Sequence, residues 1–240
     1  MTAQPNRSLA DGIALLGLLC STGQLGTRDA ALMLGWETTR ANRLLGTLRD
    51  LGLAEQNASR RYLPGPGVHV LAAQCLQGSR LLSVSLPILR GSDRAGLGVA
   101  IGVLWRGQVC YLLHAGRTES LDAGLTEFAP YQADDSSIGL AMEAHLQADR
   151  YANSAAARAK AQKDGYGVRR DDDGVHGSVA VPIFGGKDDA PIAGLAFIAD
   201  LTSHRPRDLA ARLRVISAAI TQALRASGER PARGGGGRRK

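Results

Sequence analysis

The sequence predicts an α/β (α+β) protein in two parts, a small N-terminal domain of three helices closed by a hairpin and a larger mixed domain with strands in the middle and helices outside. Three observations carry this. Residues 38–52 divide into an apolar and a polar side at helical spacing, directly after two shorter helical patterns. Pro64-Gly-Pro-Gly67 then punctuates the chain. Beyond it, Val99 to Trp105, Val109 to Leu113, Ser178 to Phe184 and Ile192 to Ile198 form two pairs of short runs apolar on both faces, as strands sandwiched by helices are. With 240 residues, 44% of them hydrophobic and 21% charged, the chain can build a core in each part.

In the first part, Ser8 is placed to cap a helix, with Asp11 three residues on, and Leu9, Ile13, Leu16 and Leu19 repeat at helical period until Gly23. Leu25-Gly-Thr27 leads into a second helix, which Thr27 can cap, Asp29 favours in its first turn and Gly35 stops after Leu34. Only Trp36 and Glu37 separate that stop from a third helix starting at Thr38. Its inner side is Ala41, Leu44, Leu45, Leu48 and Leu51; its outer side is Thr39, Arg43 and Gly46, flanked by Arg40, Asn42 and Thr47. So short a turn between two helices, the second polar on its outer face, fits a helix-turn-helix. Leu53 to Gln56 and Arg60 to Leu63, around Asn57-Ala-Ser59, make a hairpin whose second strand opens with two arginines. A basic hairpin in that place is a wing.

The outer face of the third helix suits a nucleic acid. Arg matches guanine O6/N7, Asn matches adenine, hydroxyls suit phosphates, and a glycine lets the backbone approach closely. The candidate DNA contacts are therefore Thr27, Thr39, Arg40, Asn42, Arg43 and Thr47, with Arg60 and Arg61 on the wing. The net charge of +7 adds little, because residues 228–240 supply +4 of it and residues 1–227 only +3. That tail, Gly-rich and ending Arg-Arg-Lys, has no means of burying itself and reads as a disordered basic end.

The expected organisation is a DNA-binding domain over 1–66, a linker helix over 67–87, a second domain over 88–227 and the tail over 228–240. Val68, Leu71, Cys75, Leu82 and Leu86 suggest the linker helix, weakened at Gly78 and stopped by Pro87. In the second domain a loop runs through Phe128-Ala-Pro130, and Asp134-Asp-Ser-Ser137 opens a helix running to about Leu146. Ala155 to Lys163 is a helix closed by Gly165, Asp171-Asp-Asp-Gly174 is an acidic turn, and Arg207 to about Ala226 is a final helix. Leu209, Leu213, Ile216, Ile220 and Leu224 share one of its faces.

This arrangement resembles the IclR family of bacterial transcription regulators from Ser8 to about Ala226. Arg7-Ser-Leu-Ala-Asp-Gly-Ile-Ala-Leu-Leu16 is similar to that family's first helix, Arg43-Leu-Leu-Gly-Thr-Leu48 to its recognition helix, and Tyr62-Leu-Pro-Gly-Pro66 to the end of its wing. Ser136-Ser-Ile-Gly-Leu-Ala141, Gly165-Tyr-Gly-Val168 and Ser178-Val-Ala-Val-Pro-Ile183 resemble its ligand-domain signatures. The resemblance implies a winged helix-turn-helix joined by a linker helix to a GAF-like domain that binds a small organic acid or aromatic effector. It implies a homodimer or a dimer of dimers, usually a repressor of catabolic genes. It also implies an effector site at Ser136, Ser137 and Ile138, with Ser178, a side chain near Asp171, and Ala196 and Ile198 where many members place serines. With those two hydroxyls absent, hydrogen bonds worth about 1 kcal/mol each are lost, so a less polar effector is expected, or one held by Arg169 or Arg170.

Cys20, Cys75 and Cys110 stand far apart in apolar patterns and read as reduced core thiols. Neither a signal peptide nor an apolar run of membrane length is visible, so a cytoplasmic, nucleoid-associated protein is expected, without membrane contact. His114, His145, His176 and His204 are scattered and form no HExxH, and no GxSxG elbow is present, so no enzyme, cofactor or catalytic residue is expected. Asp171-Asp-Asp173 with His176 could hold a divalent ion, but beside Gly174 it reads as a solvated turn, and no metal is expected. An interaction module whose winged helix does not read DNA is the alternative.

Overall fold

The computed structural model describes Gln4 and residues 6–94, 96–126, 130–146, 155–185 and 190–228. The chain divides into two compact units, Met1–Ser79 and Arg80–Lys240.

The first unit contains α1 (Arg7–Thr22), α2 (Thr27–Leu34), α3 (Thr38–Asp50), strands β1 (Ala54–Gln56) and β2 (Tyr62–Pro64), and α4 (Pro66–Gln77). Asn6, not Ser8, caps α1, its side chain accepting from the Leu9 N–H at 3.1 Å. That starts the helix earlier, and its buried stripe runs through Leu15 and Leu19 while Leu9 and Ile13 face solvent. α2 starts at Thr27 with Gly26 as its cap residue, and Gly35 ends it in the left-handed conformation, which a residue without Cβ adopts at no steric cost. On α3, Ala41, Leu45 and Leu48 are buried and Leu44 packs beside them. Leu51 is exposed, because the helix ends at Asp50 and Leu53 turns inward in its place. β1 and β2 pair antiparallel from Ala54↔Pro64 to Gln56↔Tyr62. Leu25 extends the ladder by exchanging two backbone hydrogen bonds with Tyr62, at 2.8 and 2.9 Å. Leu15, Leu19, Leu45 and Tyr62 close the core; each fully buried leucine contributes about 1.5–3 kcal/mol.

The continuous helix expected over 67–87 is two helices, α4 and α5 (Arg80–Gly91), with Gly78 and Ser79 between them. Pro87 lies inside α5 and does not stop it. Both Pro87 and Ser83, whose carbonyl the proline leaves without its amide, are exposed, which leaves the missing bond on the solvent side of the helix.

In the second unit six antiparallel strands form one sheet in the order β5-β4-β3-β8-β7-β6. They are β3 (Gly98–Trp105), β4 (Gln108–Ala115), β5 (Pro130–Gln132), β6 (Gly167–Arg170), β7 (His176–Phe184) and β8 (Pro191–Asp200). Alternate residues take opposite faces. Val99, Ile101, Val181, Leu195 and Phe197 meet α5 and α8 (Pro206–Gly228) on one face. Ala100, Ala180 and Ala196 meet α6 (Ser137–Glu143) on the other, and α7 (Ala155–Asp164) packs on α6. Sequence expectation missed β5 and β6, ran the α6 helix three residues too far, and put three cysteines in the core where Cys20 and Cys75 are exposed and Cys110 is half-buried; Phe128 and residues 229–240 lie outside the described residues.

Candidate functional site

Two sites emerge, one in each unit. The first is the outer face of α3. Thr39, Asn42, Arg43 and Thr47 are exposed on it, and the Arg43 side chain forms no ion pair or hydrogen bond with any described residue. The Thr47 hydroxyl donates to the Arg43 carbonyl at 3.0 Å, which fixes its rotamer along the helix. Arg40 belongs elsewhere: it pairs with Asp11 of α1 and stacks 4.7 Å over the Trp36 ring, so it braces α3 against α1. Thr27 is half-buried at the start of α2.

On the wing, Arg60 sits in the turn with φ 58, held by its N–H bond to the Asn57 carbonyl at 2.9 Å, and its side chain is exposed. Arg61 pairs with Asp29 at 3.2 Å and ties the wing to α2. Two further cations went unrecognised in the sequence. Arg7 opens α1 and shares with Arg43 a surface depression of about 310 Å³, which Ser8, Asp11, Arg40 and Leu44 also line. Arg28 is exposed in the first turn of α2. A cap at Ser8 leaves Arg7 outside the helix, whereas the cap at Asn6 makes Arg7 the first residue of α1 and part of this surface.

The second site is a cavity of about 180 Å³ on the α6 face of the sheet. Of the seven expected effector residues it brings together Ser137, Asp171, Ser178, Ala196 and Ile198. Ser136 and Ile138 lie behind it: Ser136 caps α6, accepting from the Gly139 N–H at 3.3 Å, and Ile138 packs into the sheet. The start of α6 can lie this low because glycines face it. A Cβ on Gly194 would stand 2.5 Å from Ile138 Cγ2, and one on Gly167 would collide with the Ser137 carbonyl.

Hydroxyl pairs hold the cavity wall, with Ser137 Oγ 2.8 Å from Ser178 Oγ and Tyr111 Oη 2.9 Å from Ser136 Oγ. Burial pushes the Tyr111 phenol above its ordinary range despite that second bond. Tyr131 meets the Tyr111 ring edge-on at 5.1 Å between centroids, and His114 tilts against it at 5.5 Å. Arg169 completes the lining, and Asp135 with Asp171 supplies carboxylates. Arg170, the next residue along β6, lines a different depression with Lys160 and Asp164. Tyr111, Tyr131, His114 and Asp135 were not legible as site residues, since only the pairing of β4 with β5 and the packing of α6 bring these two stretches to Ser178 and Arg169.

The acidic turn does not gather ligands. The Asp173 carboxylate accepts from the Val175 and His176 N–H groups, each at 2.8 Å, and meets His176 Nδ1 at 2.6 Å. That last contact holds Asp173 below its usual carboxylate range and His176 above its own. Among the described residues no three His, Cys, Asp or Glu side chains are grouped to hold a metal ion, and no helix is long and apolar enough to cross a membrane.

No family model and no curated protein matches the chain. Solved structures do. An IclR family transcriptional regulator from Brucella abortus superposes with a TM-score of 0.71 at 22% identity, covering 92% of this chain and 93% of its own. A putative IclR transcriptional regulator from Silicibacter sp. TM1040 gives 0.69 at 22% identity, with 91% and 96% covered. An IclR homolog from Microbacterium hydrocarbonoxydans, complexed with 4-hydroxybenzoate, gives 0.58 at 21% identity, with 91% and 99% covered. The chain therefore has the fold of these regulators over nearly its whole length.

Proposed function

We propose that the chain is a ligand-responsive, sequence-specific DNA-binding transcription regulator of the IclR kind, working in the cytoplasm as a homodimer. The observation that carries this reading is the outer face of α3, where Arg43, without an ion pair among the described residues, stands among Thr39, Asn42 and Thr47 while Arg40 and Arg61 are spent on internal pairs. Arg43 and Asn42 read base edges; Arg7, Arg28 and Arg60 take phosphates. Selection of bound duplexes from a random pool tests it. Enrichment of a two-fold symmetric site, with half-sites roughly one helical turn or a multiple apart, is expected. A pool without enrichment, bound with a steep salt dependence alone, would favour an interaction module.

The dimer reading rests on apolar side chains left outside in the first unit. Val70 and Leu71 of α4 are 54% and 56% exposed, no residue of α4 is buried, and Leu9 of α1 is 63% exposed. A second copy covering these strips removes that surface from water.

The effector reading rests on the cavity of the second unit. A guanidinium, two hydroxyls and three ring faces suit a small carboxylate on a flat apolar body, its acid on Arg169 and its ring between Tyr111, Tyr131 and Ile198. Asp135 and Asp171 then favour a hydrogen-bond donor away from the acid, as in 4-hydroxybenzoate. Calorimetric titration checks this: 4-hydroxybenzoate is expected to bind at least tenfold more tightly than pyruvate or glyoxylate, and Arg169→Ala to weaken it at least tenfold. Pyruvate or glyoxylate as the tightest ligand would contradict it. Binding shifts the regulator only through unequal affinity for two arrangements, and the break at Gly78 and Ser79 between α4 and α5 is where we place the hinge.

A further inference from the structure

A groove beside α8, at the end of β7, has the composition of a second ligand site. α8 turns Arg214, Ala218, Gln222 and Arg225 outward, four, eight and eleven residues apart and hence on one side of the helix. Opposite them stand Val181, Pro182 and Phe184 of β7, and the His145 ring meets Phe184 edge-on at 5.4 Å. The space between is about 580 Å³, within the roughly 300–1,000 Å³ of sites that hold small organic molecules.

Among the described residues that line it, the groove's charge is of one sign: Arg214 and Arg225 are there, and no Asp or Glu is. Arg214 is held in place, donating to the carbonyls of Asp164 at 2.9 Å and Gly165 at 3.3 Å and lying over the Tyr166 ring at 5.7 Å. Carbonyl acceptors leave that charge uncompensated. Arg225 has no hydrogen bond or ion pair with any described residue. The Ser217 hydroxyl is spent on the Pro182 carbonyl at 2.6 Å, whereas Thr221 accepts from the Phe184 N–H at 3.3 Å and keeps its own proton to donate. Eleven residues of helix put the Cα atoms of Arg214 and Arg225 about 16 Å apart along the axis, one toward each end of an apolar floor.

We propose that this groove binds an amphipathic anion, an apolar body with one acidic head, the head on Arg225 and the body over Phe184 and Ala218. Arg225 takes the head because its donors are free; Arg214 adds a positive potential from the other end. The site lies at the free edge of β7 beyond its pairing with β6 and shares no lining residue with the Arg169 cavity, so it does not depend on what that cavity binds.

The test titrates the full chain with 8-anilinonaphthalene-1-sulfonate, followed by fluorescence, beside N-phenyl-1-naphthylamine, which has the same ring body without the sulfonate. One saturable site per chain is expected, with the neutral compound at least tenfold weaker. Arg225→Glu and Ala218→Trp, both at solvent-facing positions, are each expected to weaken the sulfonate at least tenfold without moving the melting temperature. Equal binding of the two compounds to the unaltered protein, an unchanged affinity in either variant, or loss of the site on Arg169→Ala would overturn the proposal. The comparison of the two compounds needs no substitution, so it decides even where a variant fails to fold.

Discussion

Arg40 and Arg43 stand three residues apart on α3 and differ in what they touch: Arg40 is paired with Asp11 and lies over Trp36, and Arg43 has no such partner among the described residues. Arg40→Ala removes the partner of a partly buried Asp11 and the cation over Trp36, so it should cost the first unit about 1 kcal/mol of stability and leave sequence preference alone. Arg43→Ala should leave the melting temperature alone and cost about 1–3 kcal/mol of specific DNA affinity. Thermal melts and competition binding on the same two variants separate the roles. Helical spacing in the sequence places both arginines toward the outside, which is true of their positions. It cannot show Asp11, twenty-nine residues earlier, reaching one of them, because that pairing is made by the packing of α1 on α3. On α6, Glu143 is 2% exposed, and its Oε1 has no hydrogen-bond partner among the described residues. Burial first, and then the nearby Asp134 carboxylate, raise its pKa. The folded state therefore holds this proton more tightly than the unfolded chain, so stability falls as pH rises through and above the ordinary carboxyl range. Glu143→Gln should raise stability by about 1 kcal/mol at neutral pH and by less at pH 4, as chemical denaturation at the two pH values would show; equal gains at both would contradict it.

At the scale of elements, α6 is where sequence and structure inform each other most. Its start at Ser136 and Ser137 was legible from the capping residues, as were the two central hairpins from their doubly apolar runs. The depth at which α6 sits was not legible, since it is set by Gly167 and Gly194 on strands far along the chain. Gly194→Val should force Ile138 out of its rotamer and destabilise the second unit by about 1–3 kcal/mol, with the wall of the small cavity displaced. Urea denaturation and loss of 4-hydroxybenzoate binding would report both. β5 and β6 escaped notice because three- and four-residue edge strands carry too short an alternation to read. The expected linker helix failed for a related reason: apolar spacing continues across Gly78, while the backbone stops at it.

For the whole molecule, the exposed Val70 and Leu71 make assembly testable in solution. Replacing both by Asp should shift sedimentation from dimer to monomer, with each unit still folded; an unchanged sedimentation coefficient would place the interface elsewhere. The pattern of helix, turn, helix and wing was legible across one continuous stretch, whereas the proposed effector cavity draws on all six strands of the sheet, on the turn before α6 and on its first residue. The central claim is that the α3 face reads a specific DNA sequence. The most direct measurement is an anisotropy titration, at fixed salt and with excess nonspecific competitor, of the unaltered protein and Arg43→Ala against DNA flanking the protein's own gene. Nanomolar binding that falls about tenfold or more in the variant is the expected result. Binding that is weak in both, or equally tight in both, would contradict it.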